Sequence, residues 1–301
     1  MILGAGLLVA CAAGAAVAGP YFPAGIVLAA LVIGVARRAE RRFPRAQRGE
    51  SVIRRGLRAG TQLALGAMCA GTAAVYLVPG EKELVAVSLV LVVGIAAVWA
   101  DVPGALRRPL AAVLALAALA FVGVCFGLTP VEGMSAADRI TPAVVGVLLT
   151  AVLFAALLDN ASARGASLTR LAAGTGLAAA VSLAALYQLG PVRLSLAPTS
   201  LRDALAAADA TALTTLFNSV VVLATVPALL AVLATARREL AATGPHVLVV
   251  AGYALAAVMT LLGPVTALAI ASTLAIGDML TGFFLRNRRC RPRVSSDTVP
   301  P

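Results

Sequence analysis

The chain carries ten apolar stretches, at about 2–18, 21–36, 57–78, 84–100, 110–128, 141–158, 171–189, 211–235, 247–262 and 265–285. Each approaches the roughly 20 residues that an α-helix needs to cross a bilayer. Lipid offers no partner to an unpaired backbone N–H or C=O, so stretches of this length spaced this closely are restricted to helices that bond internally. The expected fold is therefore an all-α polytopic membrane protein with ten transmembrane helices. With 61% hydrophobic and 12% charged residues and a mean hydropathy of +0.98, the chain has far more apolar surface than a soluble core of this size can use.

The opening run, MILGAGLLVACAAGAAVAGP, has the length of a leader. It lacks the basic n-region of a secretory signal. Leu8-Val9-Ala10-Cys11 has the form of a lipobox, but the apolar run continues through Gly19 without a break. It is read as the first spanning helix.

The net charge of +11 takes its meaning from its location. With the amino terminus cytoplasmic, the segments 37–58, 101–109, 159–170 and 236–246 and the tail after 285 fall inside. They hold 20 of the 24 Lys and Arg, and only Lys82, Arg139, Arg193 and Arg202 fall outside. This asymmetry orients the chain in a cell membrane with both termini cytoplasmic. Nucleic acid is excluded as a partner, because the basic segments adjoin helix ends and lack interleaved aromatics. Cys11, Cys69 and Cys125 lie in spans and Cys290 in the tail, so neither a disulfide framework nor a metal spacing follows. No cofactor is expected. Tyr21, Phe22, Tyr76, Trp99, Tyr187, Phe283 and Phe284 gather near span boundaries, as an interfacial belt does.

Five helices (1–128) precede a hydrophilic outer loop (129–140) and five follow it (141–286), before a basic cytoplasmic tail (287–301) that has lost apolar periodicity and is expected to be disordered. An odd number of helices per half gives the halves opposite orientations, the condition for an inverted repeat with a midplane site between them. The segment 198–210, PTSLRDALAAADA, has a helix-start pattern and reads as a short amphipathic helix on the outer face. Gly123 and Gly127, in GxxxG spacing, are expected to serve helix packing.

GAGLLVACAAGAAVAGPYFPAGIVLAAL resembles the first two helices of the amino acid-polyamine-organocation permeases, where a Gly-x-Gly breaks the first helix and a Gly-Pro ends it. The counterparts are Gly4-Ala5-Gly6 and Gly19-Pro20. Arg42-Phe43-Pro44-Arg45-Ala46 is similar to the family's stretch after the second helix and is the most specific match. The segment from Thr199 to Leu240 resembles the outer loop and eighth helix, and FFLRNRRCRP the basic end of the tenth. The resemblance implies a ten-helix, five-plus-five transporter fold and transport of an amino acid or related amine. It also implies substrate contacts at Gly4, Ala5 and Gly6, where free backbone dipoles would receive charged termini, and in helix six at Phe154 and Ala155. Only Met1-Ile2-Leu3 precede the Gly-x-Gly, which implies either an upstream start or a reduced relative. In helix six, LFAALLDNAS replaces the family's central glycine with Ala or Leu, and Asp159-Asn160 falls near the expected acid.

Along helix eight, Thr211, Thr214, Thr215, Asn218 and Thr225 form one stripe with Ser219 beside it. Thr215, Asn218 and Ser219 are candidates to line a substrate or cation path; the alternative is hydrogen bonding to neighbouring helices at about 0.6 kcal/mol each. Asp278 is the only acid well inside a span. Such a residue costs about 2.5–3.5 kcal/mol to insert and must face the bundle or a water cavity, so it is the candidate for proton coupling. His246 reads as an interfacial histidine.

The function these features suggest is a secondary active transporter working by alternating access, with the bilayer and a small molecule as partners. Enzymatic chemistry is not expected, since no cluster joins an acid, a base and a nucleophile. Two alternatives stand beside it: a non-transporting membrane subunit, and a ten-helix drug/metabolite exporter, which predicts an unbroken first helix.

Overall fold

The computed structural model describes residues 2–42, 52–100, 103–127, 141–161, 168–196, 199, 201–203, 214–244 and 246–289. Among these, all regular structure is helical: α1 (Ile2–Ala18), α2 (Phe22–Arg42), α3 (Val52–Leu77), α4 (Lys82–Trp99), α5 (Gly104–Gly127), α6 (Thr141–Ala161), α7 (Leu168–Leu196), α8 (Thr214–Ala241), α9 (Val247–Thr260) and α10 (Pro264–Arg289), with 3₁₀ turns at Gly19–Tyr21 and Pro79–Glu81. Seven helical stretches are long and apolar enough to cross a bilayer, the first running from Ile2 to Ala39. The chain is an all-α polytopic membrane protein.

Several helices outrun their apolar spans at one end. α2 continues to Arg42, α3 begins at Val52 and α8 continues to Ala241. Arg, Glu and Ala are strong helix formers, so the helix persists where hydropathy has stopped. α10 likewise runs to Arg289, three residues into the segment read as a disordered tail; the rest of that tail, the Phe43–Ala46 motif and the loop 129–140 lie outside the described residues.

The Ile2–Ala39 stretch is folded back on itself. Gly19 adopts φ 56°, a left-handed conformation that glycine enters freely, and Pro20 follows it. Both arms lie against α6 in opposite directions. Gly6 abuts Leu157 while Val17 abuts Gly146; Gly25 abuts Thr150 while Arg37 reaches Asp159. α1 is the central helix. Twelve of its 17 residues are buried, and α3, α6, α7, α8 and α10 all touch it. Its Ala-Gly sequence permits this, since small residues let backbones approach where no hydrophobic drive separates helix from lipid. α4 and α5 lie at the periphery and turn Leu84, Val92, Ile95, Leu116 and Leu119 outward. Trp99 ends α4 at 87% exposure, as an interfacial residue should. Tyr76 does not join that belt: it is buried inside the bundle.

α6 packs backbone to backbone on the end of α1. A Cβ at Gly146 would lie 2.6 Å from the Val17 carbonyl oxygen and 2.7 Å from the Ala18 Cα, whereas one at Gly123 or Gly127 would meet nothing within 4 Å. The GxxxG pair therefore makes no tight contact within the described chain, contrary to the sequence expectation. Gly146→Leu should lower the melting temperature in mild detergent by the equivalent of about 1–3 kcal/mol, and Gly123→Leu should leave it unchanged. Equal effects would contradict this packing.

The chain reversals also fix which loops share a side. In a variant with Cys290 replaced, an impermeant maleimide should label a cysteine at Gly80 on intact cells, and one at Thr243 only after permeabilisation.

Candidate functional site

α1 runs without interruption through the positions expected to open, and α6, in which Ala or Leu replaces the family's glycine, is likewise continuous. The break expected at Gly4-Ala5-Gly6 is absent, since α1 is continuous from Ile2 to Ala18. The reason is local. An opened backbone needs polar partners, and Gly6 instead faces the side chain of Leu157, which a Cβ at Gly6 would meet at 2.3 Å. Ala5 is buried with no accessible surface. Phe154 and Ala155 are core residues of α6, and the nearby Leu153 carbonyl accepts a hydrogen bond from Ser272 Oγ at 2.7 Å. The interruption lies in α7, where Gly190 (φ 70°, ψ 165°) precedes Pro191. Proline removes an N–H, so the carbonyl of Tyr187 loses its α-helical donor there. Beside it Gln188 is fully buried; its Nε2 donates to the Cys125 carbonyl at 2.9 Å, and its Oε1 accepts no hydrogen bond.

One cavity of about 170 Å³ lies between α1, α5, α7 and α8. Gly4, Leu7 and Leu8 form its α1 wall, Phe121 and Val124 belong to its α5 wall, and Phe217 projects from α8. Among the described residues every lining side chain is a hydrocarbon. Of the candidate substrate residues only Gly4 reaches it. Thr215 and Ser219 are exposed, and Ser219 Oγ donates to the Thr215 carbonyl at 3.0 Å. Thr225 is buried and donates to its own helix at Val221, 2.7 Å away. Asn218 is partly buried, with an Oδ1 that has no partner. The stripe therefore lies on roughly the opposite side of α8 from the cavity face, which is Leu216, Phe217, Val220 and Ala224; Thr211 lies outside the described residues.

Two groups bound the cavity toward the end where α3 terminates. Tyr76 Oη donates to the Leu8 carbonyl at 3.0 Å, and its ring tilts against Phe217 with centroids 5.8 Å apart. The segment after α7 begins a helical turn in which the Arg202 and Asp203 amides donate to the Thr199 carbonyl. It turns Leu201, 3% exposed, into the cavity wall. This agrees with the amphipathic reading of that segment; residues 204–213 lie outside the described residues.

The opposite, basic end is closed by polar contacts that converge on α3. Arg54 Nε and Nη2 donate to the two carboxylate oxygens of Asp278 at 2.8 and 3.3 Å, and Arg58 Nε donates to Oδ2 at 3.2 Å. Asn160 Nδ2 donates to Gln62 Oε1 at 3.0 Å. Arg37 pairs with Asp159 at 2.6 Å, which ties α2 to α6. Arg55 donates to the Ala242 carbonyl at 3.0 Å, and Arg237 to the Val98 carbonyl. Asp278, the expected coupling acid, is thus the acceptor of a two-arginine clamp between α3 and α10. Sequence reading missed Arg54, Arg58 and Arg37 because it assigned them to a basic loop. The signal was their spacing: Arg54, Arg58 and Gln62 recur every four residues, along one face of a helix.

Among the described residues no three His, Cys, Asp or Glu converge on a metal-sized site, and Cys11, Cys69 and Cys125 are buried free thiols. No protein-family model and no curated protein matches the chain. The chemistry of the site is therefore read from its own residues: a dry hydrocarbon chamber at one level and a charged seal at another.

Arg54 and Asp278 have side chains only 7% and 16% exposed. Removing one partner strands a nearly buried charge, which costs about 3–5 kcal/mol when burial is complete. Asp278→Leu should lower the melting temperature clearly, and Arg54→Leu in the same chain should restore part of the loss. A double-mutant cycle showing no coupling would contradict the clamp.

Proposed function

We propose that the chain is a secondary carrier of the plasma membrane, with ten spanning helices in two five-helix halves of opposite orientation and both termini cytoplasmic. The observation that carries this reading is the pattern of helix neighbours. α1 touches α6, α2 touches α7, α3 touches α8 and α4 touches α9, each helix against its counterpart in the other half. The pattern also survives exchange of the halves: α2 lies on α6 as α7 lies on α1, and α4 lies on α8 as α9 lies on α3. Pairings of this kind support a pseudo-two-fold axis in the membrane plane, the symmetry of an inverted repeat. α5 and α10 depart from it, since α10 lies along α3 and α6 while α5 lies mainly along α7, and so does the central α1, which touches α3 and α8 where α6 packs on neither.

Alternating access requires a chamber closed at one end while the other can open, and the cavity and the arginine clamps supply the two elements. The likeness to the amino acid-polyamine-organocation permeases implies an amino acid or amine as cargo. That cargo requires free backbone dipoles in α1, and the continuous α1 supplies none. The same continuity favours the second reading, a ten-helix exporter of lipophilic metabolites, for which an unbroken first helix is expected. No ATP-binding loop occurs in the sequence, so either carrier would draw on a gradient.

Purified protein in proteoliposomes with an imposed proton gradient should give saturable flux of one of two cargo classes. Amino acids or amines would support the permease reading, and uncharged lipophilic compounds the exporter reading. If neither class moves under any gradient, the chain is a non-transporting subunit.

A further inference from the structure

The geometry points to a binding site for a small, uncharged, lipophilic molecule in the chamber between α1, α5, α7 and α8, entered sideways from the bilayer. For transport, though not for binding, this rests on the carrier reading above.

Size sets the first limit. The chamber holds about 170 Å³, close to the roughly 150 Å³ apolar cavity that stays dry and accepts benzene or xenon. One ring, or a branched hydrocarbon of similar bulk, fills it. Chemistry sets the second limit. Among the described residues its walls carry Gly, Ala, Val, Leu and Phe side chains, with no ionisable or hydroxyl-bearing residue among them. The Tyr76 hydroxyl, beside the lining residues Leu8 and Phe217, already donates to the Leu8 carbonyl. An ammonium or carboxylate placed there would lose its hydration without gaining a partner, a cost of several kcal/mol at least. A zwitterion is excluded on that ground.

The two aromatic walls favour a ring over a chain. Phe121 on α5 and Phe217 on α8 both line the space, and the Tyr76 ring against Phe217 holds one of them in place. Aromatic pairs in tilted or offset contact gain about 0.5–1.5 kcal/mol beyond area burial. The entrance follows from burial. Ala120 and Leu216 belong to both the chamber wall and the exposed surface, Leu216 at 62% exposure. α5 is the least enclosed of the long apolar stretches. The mouth therefore opens between α5 and α8 into the hydrocarbon layer, where lipophilic compounds concentrate. Gly4 lies on the opposite, α1 wall, and a Cβ there would meet nothing within 4 Å, so a larger side chain at this position enters the chamber without a clash.

Toluene is a suitable neutral probe, with phenylalanine as its zwitterionic counterpart of similar ring size. In nanodiscs, saturating toluene should raise the melting temperature of the unaltered protein. The rise should shrink at least threefold in Gly4→Leu, and phenylalanine should produce none. Ala118→Phe, which fills the same space from α5, provides an independent variant should the first fail to fold. Equal toluene shifts in the unaltered and filled proteins mean partition into lipid only and overturn the assignment, as does a response to phenylalanine alone. Toluene binding without flux of any cargo overturns the carrier reading and leaves the site standing. Amino acid flux insensitive to Gly4→Leu does the reverse.

Discussion

Inside a bilayer a main-chain polar group must find its partner within the protein, and this requirement governs both the shape of the helices and what the interior can hold. α1 shows the consequence most directly. Its sequence is rich enough in glycine to open, but its surroundings at Gly6 are the leucyl side chain of Leu157 and, at Gly4, a hydrocarbon chamber. Nothing there would receive a released N–H or C=O, so the ladder stays closed. Where the chain does interrupt a helix, at Gly190-Pro191 in α7, the adjacent buried Gln188 bonds the Cys125 carbonyl through Nε2 while its Oε1 accepts no hydrogen bond.

The same requirement separates the two ends of the bundle. At the basic end arginines bind the helices together, because Arg54 and Arg58 find Asp278 and Arg37 finds Asp159. α3 joins most of these contacts and also runs through the core, so movement at the basic end would be transmitted to the helices that border the chamber. Toward the other end the contacts are aromatic and apolar, with Tyr76, Phe217 and Leu201 beside the cavity.

Periodicity and hydropathy were sufficient for the helix positions: each of the ten predicted stretches coincides with a helix to within several residues at either end. They were insufficient for the site. The polar stripe on α8 was visible as a stripe, but which face of the helix turned toward the cavity depended on where α5 and α7 lay, and Thr215 and Ser219 proved to be on the exposed side. Tyr76 illustrates the same limit, since a tyrosine near a span boundary suits a lipid interface and a buried hydrogen bond equally well. Asp278 was recognised as an acid that had to be accommodated, but its partners lie 224 and 220 positions away in sequence.

What the amino-acid order determined alone was the membrane as solvent, the positions of the helices, and which end of the bundle would be basic. These depend on local quantities, the run length of apolar residues and the side on which Arg accumulates. What only the tertiary structure decided was that α1 stays whole, that the interior chamber is hydrocarbon, and that the intramembrane acid is clamped. Each of those depends on what stands opposite a residue across the bundle, and helix–helix packing among Ala, Leu and Val side chains leaves too weak a mark on any single helix to reveal its neighbour.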